Sequence, residues 1–335
     1  MWAIFFVTGC DAERTTFSGD KTYYWSAGPA LPEPVQEIYP AVYGDAIYVV
    51  GGLRETAQGF TVSDRVYRLT SQSDEWERLS DFPVPVHHAM LVSAEGTLWA
   101  FGGFTGSIDG QWNNSSTVYA YDQNADRWTK VGSMPVKLSE SISAVINGNV
   151  HLAGGRTTDA DNYAWQHHLD SGWHGVYDAE GGVWKSAAAL PTPRNSACSV
   201  VVKGKWHVIG GRDVENGNTG AHEVFDPETD TWQVAKPMPE AQAGIGCVVY
   251  HNNIYVFGGE FFDSARGGVY YKVWRYEINR ERWQDVSVMP VPRHGLGVVT
   301  MDDAIWLIGG ASKAGAKETR NTVSLFRQAE QPARQ

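Results

Sequence analysis

The chain has 335 residues, 42% of them hydrophobic, with 38 acidic against 27 basic side chains and a formal net charge of −11. That balance argues against a nucleic-acid binder, which needs a basic face, and reads first as a device for solubility. No apolar run is long enough to span a membrane as a helix.

The chain opens MWAIFFVTGC, apolar for its first seven residues. The Val-Thr-Gly-Cys ending resembles a bacterial lipobox, with Cys10 as the lipidated residue. The lack of Lys or Arg and the short apolar core stand against it unless the start codon is mis-set. On this reading residues 1–20 are a leader and linker. The protein is then exported, either periplasmic or tethered to a membrane by one lipid anchor. A frayed tail is the other reading.

Tyr23-Tyr24-Trp25 begins a pattern that recurs to the end of the chain. Trp25, Trp76, Trp128, Trp184, Trp232 and Trp283 are each followed 7 residues later by a proline: Pro32, Pro83, Pro135, Pro191, Pro239 and Pro290. Each proline is followed 19 residues later by a glycine pair: Gly51-Gly52, Gly102-Gly103, Gly154-Gly155, Gly210-Gly211, Gly258-Gly259 and Gly309-Gly310. Five of the tryptophans also stand 7 residues after Leu69, Tyr121, Tyr177, Phe225 or Tyr276. Fixed intervals imply rigid, packed elements. Length varies only between the glycine pair and the next aromatic position, from 15 residues after Gly210 to 23 after Gly154, which makes that interval a surface loop.

Between proline and glycine pair lie two apolar runs joined by a short turn. The predicted turns are Gly44-Asp45, Glu95-Gly96, Asn147-Gly148, Lys203-Gly204, Asn252-Asn253 and Asp302-Asp303, residue types suited to hairpins. A third strand carries the aromatic and a fourth carries the tryptophan. Each repeat is therefore a four-stranded antiparallel meander, and a period near fifty residues of this kind is the mark of a propeller blade.

The glycine pair with its spaced aromatic and tryptophan resembles the kelch motif, and the likeness runs from about Tyr23 to Phe326. The resemblance implies an all-β, six-bladed kelch β-propeller over residues 21–328, with a disordered tail at 329–335. In the sixth copy Phe326 fills the aromatic position and no tryptophan follows. The N-terminal strand with Trp25 is therefore expected to complete the last blade and close the ring. Cys198 and Cys247 fall on first strands of neighbouring blades, at offsets of opposite parity from their prolines. Their side chains are expected to face opposite ways, so two buried thiols are expected rather than a disulfide.

The meander order brings the variable loops and the proline-bearing connections to one face. Three residues after the prolines stand Val35, Val86, Leu138, Arg194, Gln242 and Arg293. Next come Gln36, His87, Ser139, Asn195, Ala243 and His294, and then Glu37, His88, Glu140, Ser196, Gly244 and Gly295. From these, Arg194, Asn195, Gln242, Arg293, His294 and His87 are the candidate ligand-binding set. In kelch proteins that bind acidic peptides, arginines of such Pro-Arg segments contact the ligand, a role that Pro193-Arg194 and Pro292-Arg293 match; arginine suits carboxylates through its planar fork. The other reading has these arginines bonding blade carbonyls. Directly after the glycine pairs, Arg156 and Arg212 add positive charge, and Glu260 is either a general base or their salt-bridge partner. Loop aromatics off the repeat positions, Trp112 and Trp165 above all, suit stacking on a sugar or peptide, or else roof their own loops. His167 and His168 are adjacent and would point apart, so no metal site is expected. No nucleophile elbow, phosphate loop or dinucleotide fingerprint is present, and no cofactor is expected.

These features predict an exported binding module, monomeric, for an acidic or carbohydrate ligand or a partner protein. The alternative is an enzyme. Some exported bacterial kelch propellers are sialic acid mutarotases, which this chain resembles in fold and blade number. Arg194 or Arg293 would then hold the acid, and Glu260 with His294 or His87 would move protons.

Overall fold

The computed structural model describes residues 13–16, 22–57, 59–106, 112–158, 167–262 and 267–329. Cys10 and Trp165 lie outside them. Among the described residues there is no α-helix, and no helix is long and apolar enough to cross a membrane.

Six antiparallel meanders follow one another. The first is Ala41–Tyr43, Ala46–Val50, Val66–Thr70 and Glu77–Arg78. The second is Met90–Ala94, Thr97–Phe101, Thr117–Asp122 and Arg127–Ser133. The third is Ile142–Ile146, Asn149–Ala153, His174–Asp178 and Val183–Ser186. The fourth is Cys198–Val202, Lys205–Ile209, His222–Asp226 and Thr231–Val234. The fifth is Ala243–Tyr250, Asn253–Phe262, Lys272–Glu277 and Arg282–Val288. The sixth begins Gly297–Met301, Ala304–Ile308 and Val323–Gln328, then takes Thr22–Ala27 as its fourth strand and Glu13–Thr16 as a fifth. Trp25 sits opposite Phe326 in that ladder, as the tryptophan does opposite the aromatic in the second to fifth sheets.

The hairpin turns fall where the residue types placed them, with one shift. In the fifth sheet the left-handed residues are His251 and Asn252, one position earlier than predicted. The core lies between sheets. Six apolar clusters each join two neighbours, and one of them packs Ile47, Val49 and Leu69 of the first sheet on Val299, Met301 and Trp306 of the sixth. Full burial of each such side chain contributes about 1.5–3 kcal/mol.

The glycine pairs explain how sheets approach one another. A Cβ on Gly51 would sit 2.0 Å from the Val86 carbonyl oxygen, and both Gly51 and Gly52 have positive φ. The close approach lets Gly52 N–H donate to Val86 O at 2.8 Å. The same bond recurs from Gly103 to Leu138, Gly155 to Arg194, Gly211 to Gln242, Gly259 to Arg293 and Gly310 to Val35, at 2.8–3.1 Å.

One expectation is overturned. Cys198 and Cys247 form a disulfide with a Cα–Cα distance of 5.7 Å. Equivalent strands of neighbouring sheets are stacked rather than paired edge to edge. The face of one that looks forward meets the face of the next that looks back. Ala197 accordingly packs with the third sheet while Cys198 packs with the fifth, beside Ile245 and Cys247. Opposite parity is therefore what a bridge between stacked strands requires.

Candidate functional site

At the loop end of the innermost strands lies a cavity of about 690 Å³. Its floor is built by two repeat positions. The first is the residue five after each proline, occupied by Glu37, His88, Glu140, Ser196, Gly244 and Gly295. All six adopt left-handed backbone, with φ between 51° and 68°. That kink turns Glu37, His88 and Glu140 out of the strand alternation and into the cavity lining. The second is the residue after each glycine pair, which bridges the residue four after each proline: Gln36 with Leu53, Ser139 with Arg156, Asn195 with Arg212, His294 with Ala311. Leu53, Arg156, Arg212 and Glu260 reach the cavity from this position.

The polar groups of the floor are interlocked. His88 Nε2 lies 2.8 Å from Glu37 and 3.5 Å from Glu140. Arg156 Nε lies 3.1 Å from Glu140, and Arg212 Nη1 lies 2.7 Å from Glu260. Asn195 Oδ1 faces Arg212 Nε at 3.4 Å, and its amide donates to Asp170 at 2.6 Å. Glu260 accepts the Gly315 N–H at 2.8 Å. His294 Nε2 faces the carbonyls of Lys313 and Gly315, both at 3.0 Å, so that nitrogen carries a proton. Its Nδ1 lies 3.5 Å from both Glu37 and Glu260.

Burial alone would raise the Glu37 carboxyl, but His88, His294 and Arg212 hold it far below the usual carboxylate range. Glu140 is lowered against its burial by Arg156, His88 and Arg212. Burial disfavours a charged His88, yet Glu37 and Glu140 raise it above its ordinary value. Two residues beyond Glu37 along the chain, burial first, then Glu140 and Glu37, push the Tyr39 phenol well above its ordinary range.

The walls are apolar and aromatic: Leu53, Phe60, Trp112, Val214 and Phe262. Trp112 packs edge-on to Phe60 at 6.4 Å and lies 5.2 Å from Phe104. Phe262 is 64% exposed.

Of the candidates from sequence, the structure brings Arg156, Arg212, Glu260 and Trp112 to the cavity. Asn195 and His294 stand behind it as braces. His87 is fully buried beneath Phe104 and Trp112; burial, then His88, pull its imidazole well below the ordinary value. Gln242 is buried and does not line the cavity.

Arg194 and Arg293 are not brought there either. They occupy the slot that Val35, Val86 and Leu138 fill with core side chains, and they are 1% and 0% exposed. Arg194 bonds the carbonyls of Gly210, Thr192 and Val208 and pairs with Glu223. Arg293 reaches Leu307 O at 3.3 Å. The expected ring of positive charge is thus replaced by a floor on which Glu37, Glu140 and Glu260 face Arg156, Arg212 and His88. Glu37, His88 and Glu140 escaped selection because strand alternation gave them no reason to face inward. The signal was that two of six residues in their row are glycine, the residue a left-handed position favours.

The family described as the KLHDC2/KLHL20/DRC7 Kelch-repeats domain matches residues 39–259 and 176–330. Kelch-like protein terF of Aspergillus terreus is 25% identical over 325 residues, covering 93% of this chain and 70% of its own. N-acetylneuraminate epimerase 1 of Escherichia coli O6:H1 is 24% identical over 217 residues, covering 55% of each chain. The solved structure of YjhT superposes with a TM-score of 0.75 at 18% identity, covering 90% of this chain and 99% of its own.

Proposed function

The chain belongs to the kelch-repeat family, and we propose that it is a binding module whose cavity holds a carbohydrate. The observation that carries this reading is a charge-balanced polar floor beneath an aromatic wall. Sugar hydroxyls both donate and accept, so they can bond carboxylates and guanidinium groups without breaking the pairs between them. A ring face with its C–H groups suits Trp112 and Phe262. A carboxylate ligand, by contrast, must compete with Glu140 and Glu260 for Arg156 and Arg212. Saturation-transfer NMR with neutral mono- and disaccharides, uronic acids and sialic acid tests this. Neutral sugars should bind at least as well as acids, and Trp112→Ala should weaken them about tenfold, equivalent to about 1.4 kcal/mol. Binding of acids alone would overturn it.

A second reading, mutarotation of the bound sugar, rests on Glu260, which lines the cavity, with His294 behind it at 3.5 Å to exchange a proton through that carboxylate. Ring opening needs an acid and a base in reach of one substrate. The likeness to an N-acetylneuraminate epimerase supports this distantly. Anomer exchange by NMR, unchanged in Glu260→Gln, would remove it.

We also propose that the six sheets are blades closed in a ring by the strand Thr22–Ala27, that the protein is a monomer, and that it works outside the cytoplasm, with Cys10 as a lipid site. The return bond from Gly310 to Val35 and the apolar cluster between first and sixth sheets support closure. The disulfide supports export, since such bonds persist in oxidising compartments. Fractionation of the protein and its Cys10→Ser variant, with labelling by a fatty acid, tests the location.

A further inference from the structure

Arg194 and Arg293 occupy the same repeat position in the fourth and sixth sheets, but their surroundings differ. Each sends Nη2 to an equivalent carbonyl, Val208 O at 3.2 Å for Arg194 and Leu307 O at 3.3 Å for Arg293. Arg194 is then completed by the Glu223 carboxylate, which also accepts the Thr192 hydroxyl at 2.8 Å. In the sixth sheet the counterpart of Glu223 is Ser324, and the counterpart of Thr192 is Val291. Ser324 offers only a hydroxyl, 3.4 Å from Nη2. Arg293 Nε and Nη1 meet no acceptor among the described residues, although the residue is fully buried. Burial, then the neighbouring Arg320, draw its guanidinium down to about 10. A buried cation without a counter-charge is costly, and the charge that acts on this one is that of a second arginine rather than a carboxylate.

We propose that a small inorganic monoanion of the halide class binds beside Arg293 Nη1, taking the place that the Glu223 carboxylate holds beside Arg194 Nη1. The site is separate from the cavity, and it needs no assumption about the cavity's ligand. A monoanion suits because a single positive charge is uncompensated, and a small spherical ion suits because Nη1 is one donor nitrogen and the short Ser324 stands where the fourth sheet has the longer Glu223. Arg320, exposed nearby at the loop end, adds positive charge that favours an anion over a cation there.

The test uses the full chain in chloride, bromide and gluconate at matched ionic strength. Halide should raise the unfolding midpoint by about 2–4 °C over gluconate. Ser324→Glu, which supplies the missing carboxylate, should be insensitive to halide. Glu223→Ser should create a second site, so its loss of midpoint in gluconate should be partly restored by chloride. Anomalous diffraction from a bromide-soaked crystal of the unaltered chain should place a peak within hydrogen-bond reach of Arg293, which keeps the proposal testable if Ser324→Glu fails to fold. No halide increment in the unaltered chain, an equal increment in Ser324→Glu, or no bromide peak at Arg293 would each overturn it.

Discussion

Arg212 donates from Nη1 to Glu260 at 2.7 Å, and the two residues hold the same place, directly after the glycine pair, in neighbouring sheets. The pair lies at the floor of the cavity, with side-chain exposures of 20% and 4%. Removing one partner strands the other. Arg212→Ala should cost about 3 kcal/mol, while the double change Arg212→Ala with Glu260→Ala should cost less than the sum of the single changes. Urea unfolding of the four proteins of this cycle measures the coupling; simple additivity would show that the two charges do not depend on each other.

Arg194 gives a contrast between stability and binding. Its guanidinium and the Glu223 carboxylate are both buried within the fourth sheet. Arg194→Ala should lower unfolding free energy by about 3–5 kcal/mol and leave the affinity of any cavity ligand unchanged once the protein is folded. Weaker ligand binding with unaltered stability would contradict the placement.

The repeat made most of the architecture legible before any coordinates. Fixed spacings fell on the four strands of each sheet, while the variable interval, expected as loop, carries short two-stranded ribbons such as Leu53–Thr56 with Gly59–Val62. The site was legible only in part, and for a physical reason. Arg156, Arg212 and Glu260 were found by counting from the glycine pair, where the backbone is regular. Arg194 and Arg293 were chosen for their charge, yet their slot faces the core, as Val35 and Leu138 at the same count had indicated. Glu37, His88 and Glu140 depend on a left-handed kink that a period-two reading cannot supply. The Cys198–Cys247 bridge failed for a related reason: parity describes one sheet, and the bridge joins two.

Trp25 tests the completion of the sixth sheet. It is 3% exposed, packs on Phe326 at 4.8 Å, and donates its indole N–H to Ser287 at 3.1 Å. It is better buried than Trp184 and Trp232, which are only partly covered. Trp25→Ala should cost about 3–5 kcal/mol, and deletion through Trp25 should cost more by exposing the edge of Val323–Gln328. A melting temperature unchanged by the deletion would refute this role.

Two buried histidine pairs predict acid lability. His207 Nδ1 lies 2.9 Å from His222 Nε2, and His222 Nδ1 lies 3.1 Å from Lys236 O. The third sheet repeats this with His151, His174 and Ala188 O, at 3.0 and 2.9 Å. Each carbonyl needs an N–H, so each chain of bonds works with both rings neutral. Burial lowers His207 and His151 to about 4 and His222 to about 3. Unfolded histidine titrates near about 6.5, so the stability these rings contribute is whole above that value and is lost as pH falls towards about 4. His88 acts in the opposite direction: its raised value contributes below about 6.5 and is lost as pH rises. Urea midpoints across this range, with His207→Leu flattening the acid limb, check the assignment; an unchanged acid limb would reject it.

The strands Thr22–Ala27 and Val323–Gln328 run antiparallel, and Ala329 N–H donates to Thr22 O at 2.8 Å. Thr22 and Ala329 therefore stand together at one end of that ladder, while Glu13–Thr16 pairs along the other side of Thr22–Ala27. A force applied between those two points acts across the ladder rather than along it, and parts its bonds one after another as a zipper opens. A tether on the N-terminal side alone would leave that seam unloaded. The molecule can thus hang from a single attachment without strain, yet that seam should yield at low force when stretched between Thr22 and Ala329.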